Sequence, residues 1–420
     1  MQGVALQATF PVQSRLCTMR SSSTSRGAID PGVPVATLGS VLPALIGFIM
    51  GAFVGSFLNV CIHRLPRNES VVMPPSRCYA CGTGVRWHDN LPILSWLILR
   101  GRCRFCGSPF SIRYMLGELA VAVVSAAVMW WAFVFMPAHG SPPWMDLWQW
   151  DQSWVSAAAA GAALVLVWWL WVAAMIDYDH TIIPDELTKP MQLLAPGLAL
   201  LLPVNADLGW LPIEWFFTQQ GVNRVPDPWG GVHSVLWIAI PCLVFLALSV
   251  PLARWIYSSF CPDEVWSDDD HRGFRVGVFW FVAVSVVHLG VLLGLALITA
   301  GHQGPEMAPW LAMLIQGSQA VMGSLVGWLA LYLVGLLGTM AFRKNALGFG
   351  DVKFLAPIGA VLGPEGILYT FFLAALVGAA IGLPRRFMGG GREIPFGPFL
   401  ALGAVLAALF GHRIHVLIFG

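Results

Sequence analysis

Charge is what this chain has least of. Its 420 residues include 23 Lys and Arg and 22 Asp and Glu, 11% charged in all, against 57% hydrophobic. Mean hydropathy is +0.72. A soluble globular domain carries roughly 25% charged residues, and a folded protein must still cover its own surface. A soluble fold is therefore excluded, and the chain is expected to be an all-α, multi-pass membrane protein with the lipid bilayer as its surroundings. The net charge of +1 carries no nucleic-acid signal, and no nucleic-acid partner is expected. The start of the chain also lacks an apolar run long enough for a signal-peptide core. Residues 1–36, with the Ser-rich SRLCTMRSSSTSRGAIDPGVP, are read as a disordered arm or as the product of an upstream start codon.

Apolar runs of about 20 residues, the length that crosses a bilayer, lie near 37–61, 115–136, 153–176, 188–203, 232–257, 276–300, 310–342, 365–384 and 396–418. Val352–Gly363 is shorter and is interrupted by Pro357 and followed by Pro364. Such a segment is tolerated at membrane depth only where protein or water covers it. Orientation follows Lys and Arg in the loops. The loop from His63 to Tyr114 carries Arg64, Arg67, Arg77, Arg86, Arg100, Arg102, Arg104 and Arg113 against Glu69 and Asp89, and is expected in the cytoplasm. MPAHGSPPWMDLWQWDQ has no Lys or Arg and is expected outside, which brings MIDYDHTIIPDE and AFRKNALGFGDVK back inside. PRRFMGGGRE lands inside only if Val352–Gly363 also crosses, giving about ten spans, one of them short.

Several motifs are missing, and each absence removes a chemistry. There is no G-x-S-x-G for a serine nucleophile, no H-E-x-x-H for a catalytic zinc, and no Rossmann-type glycine fingerprint for a dinucleotide. No internal repeat suggests the paired halves of a transporter. What is present is a cysteine set, CYACGTGVRWHDNLPILSWLILRGRCRFCG, in which Cys78, Cys81, Cys103 and Cys106 form two C-x-x-C pairs with 21 residues between them. That spacing is close to a zinc ribbon. Four thiolates would close a tetrahedron with no open position, so the expected zinc is structural. Four free thiols or two disulfides are the alternatives.

Two acidic motifs stand out. In MIDYDHTIIPDELTKP, Asp177 ends an apolar helix and Asp179, His180 and Asp185 follow closely. In NALGFGDVKFLAPIGA, Gly348 and Gly350 flank Phe349, ahead of Asp351 and Lys353. Taken singly, the first set reads equally as solvated polar residues and the second as a glycine turn with Asp351 as N-cap. Together, Asp177 and Asp351 fall on the same membrane face at helix ends, where ionisable residues are functional candidates. Two carboxylates brought close share a proton, one acting as base on a water and the other polarising a carbonyl. That is the logic of aspartic peptide hydrolysis.

These residues resemble the type IV prepilin peptidases, the bacterial branch of the GxGD membrane aspartic proteases. The likeness rests on GSFLNV (Gly55–Val60), RLP (Arg64–Pro66), the cysteine pairs, RYMLGEL (Arg113–Leu119), the segment from Asp177 to Asp185, GFGDVK and IPFGPFLALGA (Ile394–Ala404). Their order matches over roughly 45–200 and 345–405. The resemblance implies Asp177 and Asp351 as the catalytic dyad, with Asp179 and Asp185 as neighbours outside it. It implies cleavage of the basic leader of type IV prepilins or type II secretion pseudopilins at the cytoplasmic face of a bacterial inner membrane. It further implies N-methylation of the new terminus with S-adenosylmethionine by the N-terminal part. On this reading 37–136 is a methyltransferase-type region with a cysteine lobe at 62–114, and 137–420 is the peptidase region. The stretch between Asp177 and Asp351 is longer than the family usually has, and the excess is expected as extra helices around 204–340. A transporter or scaffold using its intramembrane carboxylates as proton or ion sites is the alternative. Methyl-donor contacts, the pilin substrate and the oligomeric state are not fixed by the sequence.

Overall fold

A computed structural model describes residues 38–139, 151–202, 251–253, 255–256, 259, 268–300, 308–343, 347–387 and 395–419. The arm expected at 1–36 and most of the run at 232–257 lie outside these. The described residues are helical, with two isolated antiparallel bridges and no strand ladder. Six helices among them are long and apolar enough to cross a membrane.

The first membrane pair is α1 (Leu38–Arg64) and α3 (Ile112–Trp130), which continues through a π-turn at Trp131–Phe135. Between them lies the cysteine lobe with the short α2 (Leu94–Leu99). In lipid the hydrophobic effect gives no gain for helix association, so close van der Waals fit and polar contacts must supply it. On α1, Gly47, Gly51 and Gly55 recur every four residues and face α3. A Cβ at Gly47 would lie 2.6 Å from the Ser125 carbonyl oxygen, at Gly51 2.8 Å from that of Val121, and at Gly55 3.0 Å from Glu118 Cα. The pairing continues to Asn59, whose Nδ2 donates to the Tyr114 carbonyl at 3.0 Å. The two helices therefore run antiparallel, backbone against backbone. Their outer faces keep Leu45, Ile49, Phe53 and Val123 about half exposed, the pattern of a lipid-facing surface.

α4 (Gln152–His180) joins this pair to the rest. Its Trp168 Nε1 donates to Ser125 Oγ at 2.9 Å, and the adjacent Trp169 Nε1 donates to the Leu187 carbonyl at 2.9 Å on α5 (Asp185–Leu200). α4 ends where Thr181 turns left-handed, its N–H donating to the Asp177 carbonyl at 2.8 Å. At 16 residues α5 is shorter than the six spanning helices. It is wedged by polar side chains: Gln192 Nε2 donates to the Lys353 carbonyl at 3.3 Å, and Gln316 Nε2 to the Ala199 carbonyl at 2.9 Å.

The second close-packed pair is α7 (Ala308–Phe342) with α8 (Phe349–Phe387). Gly323 and Gly359 abut through their backbones, and a Cβ at Gly327 would lie 2.7 Å from the Leu355 carbonyl oxygen. α6 (Asp268–Ala300) adds aromatic packing, with Phe281 stacked on Trp328 at 5.4 Å and Phe274 against Phe349 at 4.7 Å. α8 breaks at Gly363, whose φ of 73° and ψ of 179° interrupt the helix just before Pro364. Ile367 reaches back to Gly359. The second arm then runs antiparallel to α9 (Gly397–Phe419): Gly378 packs on Phe399 near the start of α9, while Tyr369 Oη lies 3.2 Å from His415 Nδ1 near its end. The short Val352–Gly363 segment is thus the first arm of a broken helix, covered on its flanks as its length requires.

Adding a methyl at Gly323 drives it into the Gly359 carbonyl. Gly323→Ala is expected to destabilise the protein by about 1–3 kcal/mol, the usual cost of overpacking. Thermal unfolding in detergent reads this directly. Gly290→Ala, where a Cβ meets nothing within 4 Å, should leave the midpoint near that of the parent.

Candidate active site

Asp177 closes α4 and is 5% exposed. One of its oxygens, Oδ2, accepts the N–H of Gly397 at 2.8 Å, joining the end of α4 to the first residue of α9. A helix start presents unsatisfied N–H groups and the positive end of its dipole, so it suits a carboxylate. Glycine is required there, because a Cβ at Gly397 would sit 2.8 Å from that Oδ2 and 3.1 Å from Asp177 Cγ. IPFGPFLALGA contributed to the resemblance, but nothing in the sequence assigned this role to Gly397. The only signal was a lone glycine ahead of a Pro-initiated apolar run.

Asp351 stands in the first turn of α8, and its N–H donates to the Gly348 carbonyl at 3.2 Å. The helix already begins at Phe349, so Asp351 is not its N-cap. Asp351 lies within electrostatic range of Asp177. The two flanking glycines differ in use. A Cβ at Gly350 would lie 3.3 Å from Ile183 Cβ, so this glycine lets the turn after α4 close onto α8. A Cβ at Gly348 would have one close neighbour, Asp351 Oδ2 at 3.5 Å. Free backbone beside the carboxyl group therefore comes from Gly348.

The remaining acidic residues of the first motif are held apart from this pair. The Lys353 ammonium pairs with Asp185, which also takes Lys189 at 2.9 Å. Lys353 is buried and its ammonium lies 4.7 Å from the centre of the Phe349 ring. Lys353 and Asp351 are two positions apart and so point to opposite sides of the helix. Lys353 thus fastens α8 to α5 behind the aspartates. Asp179 turns toward the N-terminal region, where Arg113 meets it at 2.8 Å.

The cysteine lobe is built from two copies of one turn. Arg77 bridges to Gly84 and Arg102 to Pro109. Inside the bridges the Cys78 N–H donates to the Thr83 carbonyl at 2.9 Å and the Cys103 N–H to that of Ser108 at 2.8 Å. Each turn needs a residue with positive φ after its second cysteine, supplied by Gly82 at 71° and Gly107 at 68°. The four sulfurs all lie within 4.8 Å of one another, Cys78 and Cys106 at 3.8 Å, forming one cluster that can hold a metal ion. Cys78 and Cys103 are buried, and Cys81 and Cys106 are exposed. The Thr83 hydroxyl and N–H hold the Cys81 thiol down to about 6. At Cys106 the Ser108 N–H favours a thiolate, but partial desolvation and the neighbouring sulfurs outweigh it and push that thiol up to about 11. Four thiolates this close repel one another, and a cation between them removes that repulsion.

Two family models match the chain: the bacterial peptidase A24 N-terminal domain over residues 49–132 and the type IV leader peptidase family over 281–383. The first takes in the cysteine lobe and the second Asp351, with Asp177 between them. A prepilin leader peptidase/N-methyltransferase of Stutzerimonas stutzeri is 26% identical over 396 residues, covering 88% of this chain and 91% of that protein. One of Myxococcus xanthus is 40% identical over 167 residues, 39% of this chain and 42% of that protein. One of Burkholderia pseudomallei is 24% identical with 96% of each chain covered. No solved structure matches. With both family models matched in order, and relatives of one name along most of its length, the chain is similar to the prepilin leader peptidases.

Proposed function

We propose that the protein removes the leader peptide of type IV prepilins or pseudopilins with Asp177 and Asp351, and then N-methylates the exposed terminus. The observation that supports this is where the two aspartates stand: Asp177 is bonded to the start of α9, and Asp351, from a distant part of the chain, lies within electrostatic range of it. Relatives named prepilin leader peptidase/N-methyltransferase support the substrate class and both activities. None of those relatives carries a transporter name, and no specific contact favours that alternative.

In the proposed reaction Asp177, already accepting the Gly397 N–H, takes a proton from a water whose oxygen attacks the scissile carbonyl carbon. Asp351 gives its proton to the carbonyl oxygen. As the tetrahedral adduct collapses the C–N bond breaks, the leaving nitrogen takes the proton held by Asp177, and the hydroxyl returns a proton to Asp351. The dyad ends as it began, and no covalent enzyme intermediate forms. The free backbone at Gly348 gives an extended peptide room beside Asp351. The basic lobe and the arginine-rich loops favour a cytoplasmic position for this site in a bacterial inner membrane.

The cysteine cluster fits zinc. A Zn–S bond of about 2.3 Å places tetrahedral sulfurs roughly 3.8 Å apart, and Cys78 and Cys106 already stand 3.8 Å apart. Cys78, Cys81, Cys103 and Cys106 would hold the ion, which would fold the lobe and take no part in bond making. No residue is assigned to the methyl donor, S-adenosylmethionine. Among the described residues there is neither a parallel sheet nor a glycine-rich strand-to-helix turn to receive it.

Co-expression with a prepilin from the same genome, followed by mass measurement of its N-terminus, reads leader loss and methyl addition separately. Asp177→Asn and Asp351→Asn should each lower cleavage by at least about 100-fold, the scale of a lost acid–base group, while the protein still inserts. Normal processing by either variant would refute the dyad. Gly397→Ala should cut kcat by about tenfold or more with little change in KM, because it displaces the Asp177 carboxylate without touching the peptide groove. Cys78→Ser should abolish bound zinc in elemental analysis and weaken methylation before cleavage; a metal-free preparation with full stability would contradict the assignment.

A further inference from the structure

Helix α2 turns the wrong face outward for a lobe in water. Leu94, Leu97 and Ile98, spaced to share one side of the helix, are 55%, 53% and 69% exposed, and Trp87 just before them is 80% exposed. The inward side is occupied: Pro92 is buried, and Trp96 packs on Gly101 and donates its Nε1–H to the Phe110 carbonyl at 3.4 Å. An outward apolar patch of this kind marks an interaction surface.

Its depth identifies the partner. The N–H of Ile93, the residue before α2, donates to Glu118 Oε2 at 2.7 Å. Glu118 stands six residues into a membrane-spanning helix that begins at Ile112, about 9 Å along its axis at 1.5 Å per residue. Ile93 holds a φ of 63° to make this bond, a costly conformation for a β-branched residue that persists only where its surroundings enforce it. The first turn of α2 is therefore pinned beside the spanning stretch of α3. Near the start of α3 itself, Ile112 and Leu116 are each 48% exposed. Exposed Arg100 and Arg102 follow directly after α2, the arrangement of an interfacial segment meeting anionic headgroups.

We infer that α2 lies in the lipid–water interface on the arginine-rich side of the membrane. Leu94, Leu97 and Ile98 enter the acyl region, Trp87 sits at headgroup level, and Arg100 and Arg102 face anionic phospholipid. This placement moors the cysteine lobe to the bilayer. It requires only that α1 and α3 span the membrane, so it stands or falls independently of the peptidase reading.

The test places p-benzoylphenylalanine at Ile98, and separately at Leu97, in the full chain reconstituted in nanodiscs of phosphatidylethanolamine and phosphatidylglycerol. After irradiation, intact mass identifies the neighbour. Adducts of one phospholipid are expected, rising about two- to threefold as phosphatidylglycerol goes from none to about a third of the lipid. Absence of any adduct at both sites, adducts with a second copy, or adducts with an added prepilin would each overturn the inference. A second measurement removes the apolar face altogether. In Leu97→Glu/Ile98→Glu, amide hydrogen exchange over 94–99 should accelerate at least about tenfold in the nanodisc as α2 leaves the interface. Unchanged exchange would equally overturn it.

Discussion

Backbone-to-backbone helix contact is the constraint on which the rest of the structure depends. A helix gains nothing by leaving lipid for another apolar surface, so pairs must fit closely enough for dispersion and weak polar contacts to hold them. Gly47, Gly51 and Gly55 provide that fit between α1 and α3, and Gly323, Gly327 and Gly359 between α7 and α8. Each pair forms a rigid unit. α4 touches both: Trp168 bonds to Ser125 on α3, while Trp169 bonds to Leu187 on α5 and packs on Phe354 of α8 at 4.8 Å. The position of Asp177 at the end of α4 is therefore set by both units at once.

Buried polar groups then fix the remaining degrees of freedom. A side-chain amide that bonds a backbone carbonyl in an apolar interior resists sliding, because displacement leaves the group unpaired at a cost of about 1–3 kcal/mol. Gln192 and Gln316 do this for α5, between α8 and α7. Lys353 does the same for the start of α8 through Asp185. Asp351 is thus held from behind while its own carboxyl group remains free of salt bridges among the described residues. The cation of the GFGDVK motif and its carboxylate have different work: the lysine places the helix, and the aspartate stays within electrostatic range of Asp177.

Much of this was legible in the sequence, for definable reasons. Spanning helices announce themselves by length and hydropathy, and the two C-x-x-C turns by spacing, since both properties are local. Val352–Gly363 was readable as a short covered segment from its length and prolines, but the helix continues through Pro357 and breaks instead at Gly363. The use of the individual glycines was not readable. Gly350 serves packing on Ile183 and Gly348 leaves space beside Asp351, yet the two look equivalent as letters around Phe349. Gly397 was missed as a partner of Asp177 for the same reason: a glycine whose function is to lack a Cβ beside a carboxylate 220 residues away carries no local pattern. The pairing of Asp185 and Asp179 likewise depends on Lys353 and Arg113, which come from other parts of the chain.

The lobe follows a different rule from the bundle. It has no hydrophobic core cluster of its own, and its buried cysteines stand where a soluble domain would place aliphatic residues. What holds it is chemistry at its borders: the sulfur cluster within, Glu118 at the base of α2, Asn59 between the helices that carry it, and Arg113 bonded to Asp179. An exposed ion pair such as the last contributes little stability alone. Here it adds geometry, because Asp179 lies two residues from Asp177 on the same helix end. A shift of the start of α3 relative to α4 is thus felt at the turn that follows Asp177. The N-terminal helices and the helix that carries Asp177, joined by the order of the chain, are also joined by contact beside the candidate site.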